Sequence, residues 1–186
     1  MKQSSFIIWN RCRPVLPSNL RPWPVAPRPF DEEAFGSWFG RIASPYQLNV
    51  IQAWDINQLG MFPTLTNAGW ILFPPVPENA LRALAALGRL DIDRLTRIQT
   101  PSDWMVDRTS LPYCFRCLVL NPVDVTAPRW KRRWLEPGIT VCDEHRTDLE
   151  YVPTSILRRT RNMERLLHCV SKRRQRLSET SWYRRY

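Results

Sequence analysis

Apolar residues recur at helical spacing in several stretches of this chain. Over residues 29–43, Phe35, Trp38, Phe39 and Ile42 fall on one face. Asp31, Glu32 and Glu33 stand ahead of them, where a first helical turn favours acids. This pattern predicts a helix. A second helix is expected over 45–54, with Leu48 and Ile51 facing inward. Residues 55–77 hold Pro63, Pro74, Pro75 and Pro77 and read as a linking loop with some extended structure. Residues 78–88 are rich in Ala and Leu, apolar at Leu81, Leu84 and Leu87, and Gly88 is a helix stop. Asp91 is a candidate N-cap for a further helix carrying outward Arg94 and Arg97. Two helices around a short turn fit a helix-turn-helix, and they equally fit a plain helical hairpin in a core.

The ends have a different texture. Pro14, Pro17, Pro22, Pro24, Pro27 and Pro29 crowd the first 29 residues, with Trp23 between two of them. Such a segment cannot hold a regular helix and tends toward polyproline II, laid over the body or ordered by a partner. From Ile156 onward, Ile156, Met163, Leu166, Leu167 and Val170 suggest an amphipathic helix. In the middle, 128–135 alternates basic and aromatic residues, and Ile139-Thr140-Val141 is a short strand candidate.

Composition adds nine Trp, 17 Pro and a formal net charge of +10 with a pI of about 10.0. Most of that surplus lies in the tail, where Arg158, Arg159, Arg161, Arg165, Lys172, Arg173, Arg174, Arg176, Arg184 and Arg185 face only Glu164 and Glu179. A surplus of this size suggests a polyanionic partner, most simply nucleic acid, although basic surfaces also serve solubility. The candidate contacts are Arg129, Lys131, Arg132 and Arg133, then Arg158, Arg159, Arg161, Arg165, Lys172, Arg173, Arg174 and Arg176. For 128–135 a second reading is a strand with Trp130 and Trp134 packed on neighbouring turns and its charges solvated. No membrane span is expected, because the longest apolar run, residues 69–76, is broken by prolines.

The chemistry sits in two knuckles, Cys114-Phe-Arg-Cys117 and Cys142-Asp-Glu-His145. A two-residue gap lets one tight turn aim both side chains at one ion. Three thiolates and an imidazole fill a tetrahedral zinc site and leave no position for water, so the expected cofactor is one structural Zn²⁺. A disulfide or buried free thiols are the competing readings. Cys12 is left over, and Cys169, beside His168, reads as an incidental or buried thiol. Thiols at zinc spacing without a signal peptide point to a reducing compartment. The expected fold is mainly α with a small zinc-stabilised α+β module. Its parts are a Pro-rich arm (1–29), a helical, helix-turn-helix-like region (30–108), a zinc finger (109–152) and a basic helical tail (153–186).

Several of these segments, in this order, resemble the TniQ/TnsD family of transposition target-selection proteins. The opening Leu16-Pro17, Pro22, Pro29-Phe-Asp31-Glu32, Ser37-Trp38-Phe39 and Arg41-Ile42-Ala43 is similar to the family's Pro-then-acidic-then-Ser-Trp start. Tyr113-Cys114-Phe-Arg-Cys117-Leu118 resembles its first zinc half-site. Arg132-Arg133-Trp134 with Ile139-Thr140-Val141-Cys142-Asp143-Glu144-His145 resembles the second. The likeness covers roughly 14–150. Nothing after His145 supplies a second full ligand set, so the chain looks like the short form, similar to the adaptors of RNA-guided transposons; separately, Arg146-Thr147-Asp148-Leu149 is more polar than is typical, which does not touch the ligands.

The resemblance implies an adaptor without chemistry of its own, in the bacterial cytoplasm at the nucleoid. It would link a CRISPR effector with guide RNA, or target DNA, to the AAA+ regulator TnsC, with no membrane and no small-molecule substrate. An autonomous DNA-binding regulator using 78–99 is the alternative. A metal nuclease is disfavoured because the acids form no convergent cluster.

Overall fold

The structure, a computed structural model, describes residues 21–120, 127–160 and 162–183. Its elements are α1 (Phe35–Ala43), α2 (Val50–Ile56), α3 (Glu78–Gly88), α4 (Ile92–Arg97), β1 (Ser110–Tyr113), β2 (Glu150–Pro153), α5 (Thr154–Arg159) and α6 (Met163–Tyr183). The fold is therefore mainly helical, with one small antiparallel sheet. In that sheet β1 pairs with β2 from Ser110↔Pro153 to Tyr113↔Glu150.

The first helix begins later than its acids suggest. α1 starts at Phe35, and Ala34 at its N-cap makes no side-chain cap. Asp31, Glu32 and Glu33 precede it in non-helical backbone, because they are used elsewhere. Glu33 pairs as a β-bridge with Lys131, and the Arg132 N–H donates to the Glu32 carbonyl at 2.7 Å. Phe35, Trp38, Phe39 and Ile42 do form the buried face, packed edge-on and tilted against Trp54 and Phe73. α1 approaches its neighbour closely at Gly36 and Gly40, one turn apart. A Cβ on Gly36 would lie 2.0 Å from the Trp70 carbonyl oxygen, and one on Gly40 would lie 2.5 Å from the Trp70 ring. Trp70 is thereby wedged against α1, and its indole N–H donates to the Thr160 carbonyl at the end of α5.

The second helix is displaced. Residues 44–46 form a single 3₁₀ turn, Gln47 is left-handed at φ 56°, and α2 runs Val50–Ile56. Asn49 and Gln52 make a reciprocal capping box that sets this start. The start rotates the inward face to Val50, Ala53 and Trp54. Ile51, expected inside, is 47 % exposed, and Leu48 is only partly buried. Residues 55–77 hold no strand, yet Ala68 and Trp70-Ile71-Leu72-Phe73 are fully within the core. Prolines set this segment's backbone, while Leu59, Ala68, Trp70–Phe73 and Val76 supply core.

α3 and α4 form the expected hairpin, with Leu81, Leu84, Leu87 and Leu95 buried. Gly88 is the last helical residue, and the left-handed stop falls on Arg89 (φ 52°). Asp91 caps α4 through the Asp93 N–H. Arg97 is exposed, whereas Arg94 is half-buried and lies 3.7 Å from Asp31. The arm over 21–29 is laid on the body as expected. Trp23 donates its backbone N–H to the Leu87 carbonyl and its indole to Asn57, and the Pro27 carbonyl accepts from Trp38. The arm before Arg21, with Cys12, lies outside the described residues.

The basic-aromatic stretch is not a strand. It makes one bridge at Lys131 and then one 3₁₀ turn, Arg132–Leu135, with Trp130 and Trp134 buried. Nor is Ile139-Thr140-Val141 a strand, since Val141 makes a single bridge to Asp148. The sheet forms outside it, at β1 and β2. The tail is two helices, α5 and α6, and α6 buries Met163, Leu166 and Val170. One hydrophobic cluster joins the helices, the knuckles and α6.

Gly36→Ala tests the close approach of α1. The clash is with backbone, which cannot swing aside, so the variant loses about 3 kcal/mol or more, seen as a Tm lower by roughly 6–12 °C in thermal denaturation.

Candidate metal centre and basic face

β1 delivers the first knuckle. Tyr113 ends the strand, Cys114 follows, and the Leu118 N–H donates to the Cys114 carbonyl at 2.9 Å as the chain enters a wide π-type turn over Arg116–Leu120. The second knuckle is a tight reversal. The Cys142 N–H donates to the Thr147 carbonyl, the Arg146 N–H donates to the Cys142 carbonyl, and Arg146 turns the chain at φ 52°. The Leu149 N–H then closes the ribbon onto the Thr140 carbonyl at 2.7 Å.

These turns converge Cys114, Cys117, Cys142 and His145 until their ligand atoms all lie within 4.8 Å of one another. Cys117 Sγ is 3.7 Å from Cys142 Sγ and 3.2 Å from His145 Nδ1. His145 Nδ1 is 3.6 Å from Cys114 Sγ and 3.7 Å from Cys142 Sγ. A tetrahedron with metal–sulfur bonds of ~2.3 Å has sulfur–sulfur edges of about 3.8 Å and sulfur–nitrogen edges of about 3.6 Å. The donor set therefore fits one metal ion. The disulfide reading fails, because the three cysteines are free thiols held at ligand spacing.

Burial pushes the Cys117 thiol up, and its hydrogen bond to Glu144 adds to this; a metal offsets that cost by binding the thiolate. Burial also raises Cys142, but the backbone N–H and ring of His145 outweigh it and bring the thiol to about 7. Glu144 lies beside the cluster at 3.2 Å from Cys117 Sγ, and Lys131 donates to the same carboxylate oxygen. Lys131 thus ties the basic-aromatic stretch to the second knuckle.

The candidate basic residues divide in two. Arg129 donates to Glu32 at 2.8 Å and stacks on Phe30 at 3.8 Å, with its side chain 14 % exposed. Lys131 is held by Glu144, Arg132 lies over Trp104 and donates to the Gln99 carbonyl, and Arg133 pairs with Asp143 at 2.6 Å. Arg174, on α6, donates to Glu150 at 3.0 Å and sits 3.8 Å over Phe115. By contrast, Arg158, Arg159, Arg165 and Lys172 are exposed and, like the half-buried Arg173, make no ion pair among the described residues. Arg176 is exposed on α6, and Arg161 lies outside the described residues.

Sequence reasoning missed the join between α6 and the metal module. Tyr113 and Glu150 are cross-strand partners, and the Tyr113 hydroxyl donates to Glu150 at 2.9 Å while Arg174 grips the same carboxylate. Burial, then the Glu150 charge, pushes the Tyr113 hydroxyl up. The only signal available was the pairing of two strands that had not been expected there.

Cys117→Ser removes one of the three thiolates of the donor set. Bound metal, measured by mass spectrometry of the purified protein, falls from one ion per chain toward none. The melting temperature drops by roughly 6–12 °C, for a loss of about 3 kcal/mol. Full metal content with unchanged melting would overturn the assignment of these ligands.

No helix among the described residues is long and apolar enough to cross a membrane. Searches of curated proteins and of solved structures return no match. A scan against protein families matches TniQ over residues 24–149, a span that holds α1 to β1 and all four metal ligands. The chain belongs to the TniQ family, and so to the proteins that act in transposition as adaptors or in targeting.

Proposed function

We propose that this protein is a non-enzymatic targeting adaptor for DNA transposition. It joins a target-recognition module, a CRISPR effector with its guide RNA or the target DNA itself, to a TnsC-type AAA+ ATPase that then recruits the transposase. The match to TniQ across the whole metal-binding body carries this reading.

The ion is zinc in a structural role. Cys3His is a soft donor set that suits zinc, and with every tetrahedral position filled by protein there is no vertex for a reactive water. The ligands knit β1 to the ribbon before β2, so the ion would shape a surface rather than perform a reaction. The acids of the 31–33 run stand in ion pairs and not in a convergent cluster: Glu33 with Arg41, Glu32 with Arg129 and Asp31 with Arg94. This supports an adaptor without chemistry of its own. Its cations, exposed on α5 and α6, supply the attraction to a phosphate-bearing partner.

Affinity capture of the full-length, metal-loaded chain with the TnsC-type ATPase encoded beside it tests the proposal. The ATPase is expected to co-purify in the presence of ATP and DNA, with the effector and guide RNA where the targeting route is RNA-guided. Failure to retain the ATPase under any of these conditions overturns the adaptor reading. Tight, sequence-specific duplex binding by the isolated protein in that case would move the function to the α3–α4 hairpin.

A further inference from the structure

We infer that a polynucleotide backbone is bound in the cleft between the turn after α1 and the elbow joining α5 to α6. The inference rests on the adaptor reading only for the presence of a polynucleotide nearby. The cleft has a volume of about 1040 Å³ and is lined by Ser44 and Gln47 on one side and by Arg159, Asn162, Arg165 and His168 on the other.

The choice of ligand follows from which cations are available. In the 129–133 stretch, every basic side chain is spent on a carboxylate, a carbonyl or a ring of this same chain. At the cleft, Arg165 is exposed and has no ion pair among the described residues, and Arg159 donates to the Ser155 carbonyl through Nε at 3.2 Å. Arg165, His168 and Lys172 recur at i, i+3 and i+7 on α6, opposite the buried Met163, Leu166 and Val170. Lys172 thus extends the same exposed face of α6 beyond the cleft lining. Guanidiniums offer planar forks for phosphate oxygens, and the amides and hydroxyl beside them add neutral donors. Such contacts hold a backbone without reading bases. One acid, Glu164, also lines the cleft and opposes an anion there. The cleft's α5–α6 side lies beyond residue 149, outside the span that matches TniQ.

Fluorescence anisotropy of labelled single-stranded RNA, single-stranded DNA and duplex DNA with the full-length, metal-loaded protein tests the site. The double variant Arg159→Ala/Arg165→Ala is expected to weaken binding about tenfold or more. It should also flatten the slope of log K against log salt by roughly 1.4–1.8, the release expected of two phosphate contacts. Arg133→Ala, an exposed residue already paired with Asp143, should change affinity less than twofold, and Glu164→Gln should tighten it. Arg165→Glu alone repeats the test should the double variant fold poorly. The comparison of probes identifies RNA or DNA as the source of the backbone. The inference is overturned if the cleft variants bind as the parent does, if Arg133→Ala causes the larger loss, or if the parent binds none of the three probes. Capture of the ATPase by the same cleft variants reads the adaptor function separately, so either reading can fail while the other stands.

Discussion

A single buried carboxylate organises this molecule. Glu33 has no exposed surface, and it accepts from Ser37 Oγ at 2.8 Å, from Arg41 Nε at 2.9 Å and Nη2 at 2.6 Å, and from the Phe30 N–H at 3.3 Å. A charge removed from water is tolerated only when paired and fully hydrogen-bonded, so these donors hold one geometry together. The Ser37 hydroxyl in turn accepts the Trp130 N–H at 2.9 Å, and the Ala34 N–H donates to the Trp130 carbonyl at 2.8 Å. Arg41 reaches back to the Arg28 carbonyl in the arm. Arm, first helix and metal module thus meet at one ion pair. The position of the metal knuckles relative to the helices depends on it.

What the sequence revealed follows from range. Local signals were legible: the apolar face of α1, the Asp91 cap, the α3 leucines and the two knuckles, whose spacing needs only one turn each. The knuckles also carried the metal site. What was not legible depends on distant partners. Asp31, Glu32 and Glu33 resemble a helix start by composition, and only the segment around Lys131 shows that they form a ribbon instead. Ile51 and Val50 exchange roles because a capping box moves the helix start by a few residues. The prolines of 55–77 signalled irregular backbone correctly and concealed that its side chains fill the core against Gly36 and Gly40.

Charge shows the same division. Read as composition, the basic residues form one population. In the folded chain, those between the knuckles are internal fasteners. Arg129 and Lys131 reach acids far away in sequence or across the metal site, and Arg174 pins α6 to Glu150 and Phe115. The cations left over cluster on the outward side of α5 and α6. A count of charge therefore overstates the surface available to a partner, and the positions of the acids decide which part of it is real.

The union of Ser37 with Trp130 also constrains the order in which the chain can fold. The partners lie 93 residues apart, Arg129 and Glu32 lie 97 apart, and Trp70 and Thr160 lie 90 apart. At about 5–20 residues per second of synthesis, α1 waits roughly 5–20 s for Trp130 to be made. Through that interval Trp54 and Phe73 are already present to cover its apolar face, but the Ser37 hydroxyl and the Ala34 N–H lack their Trp130 partner. Contacts so distant in the chain close late and slowly. The bonds that fix the metal module and the end of α5 onto the first helix and Trp70 thus form only after most of the chain has emerged.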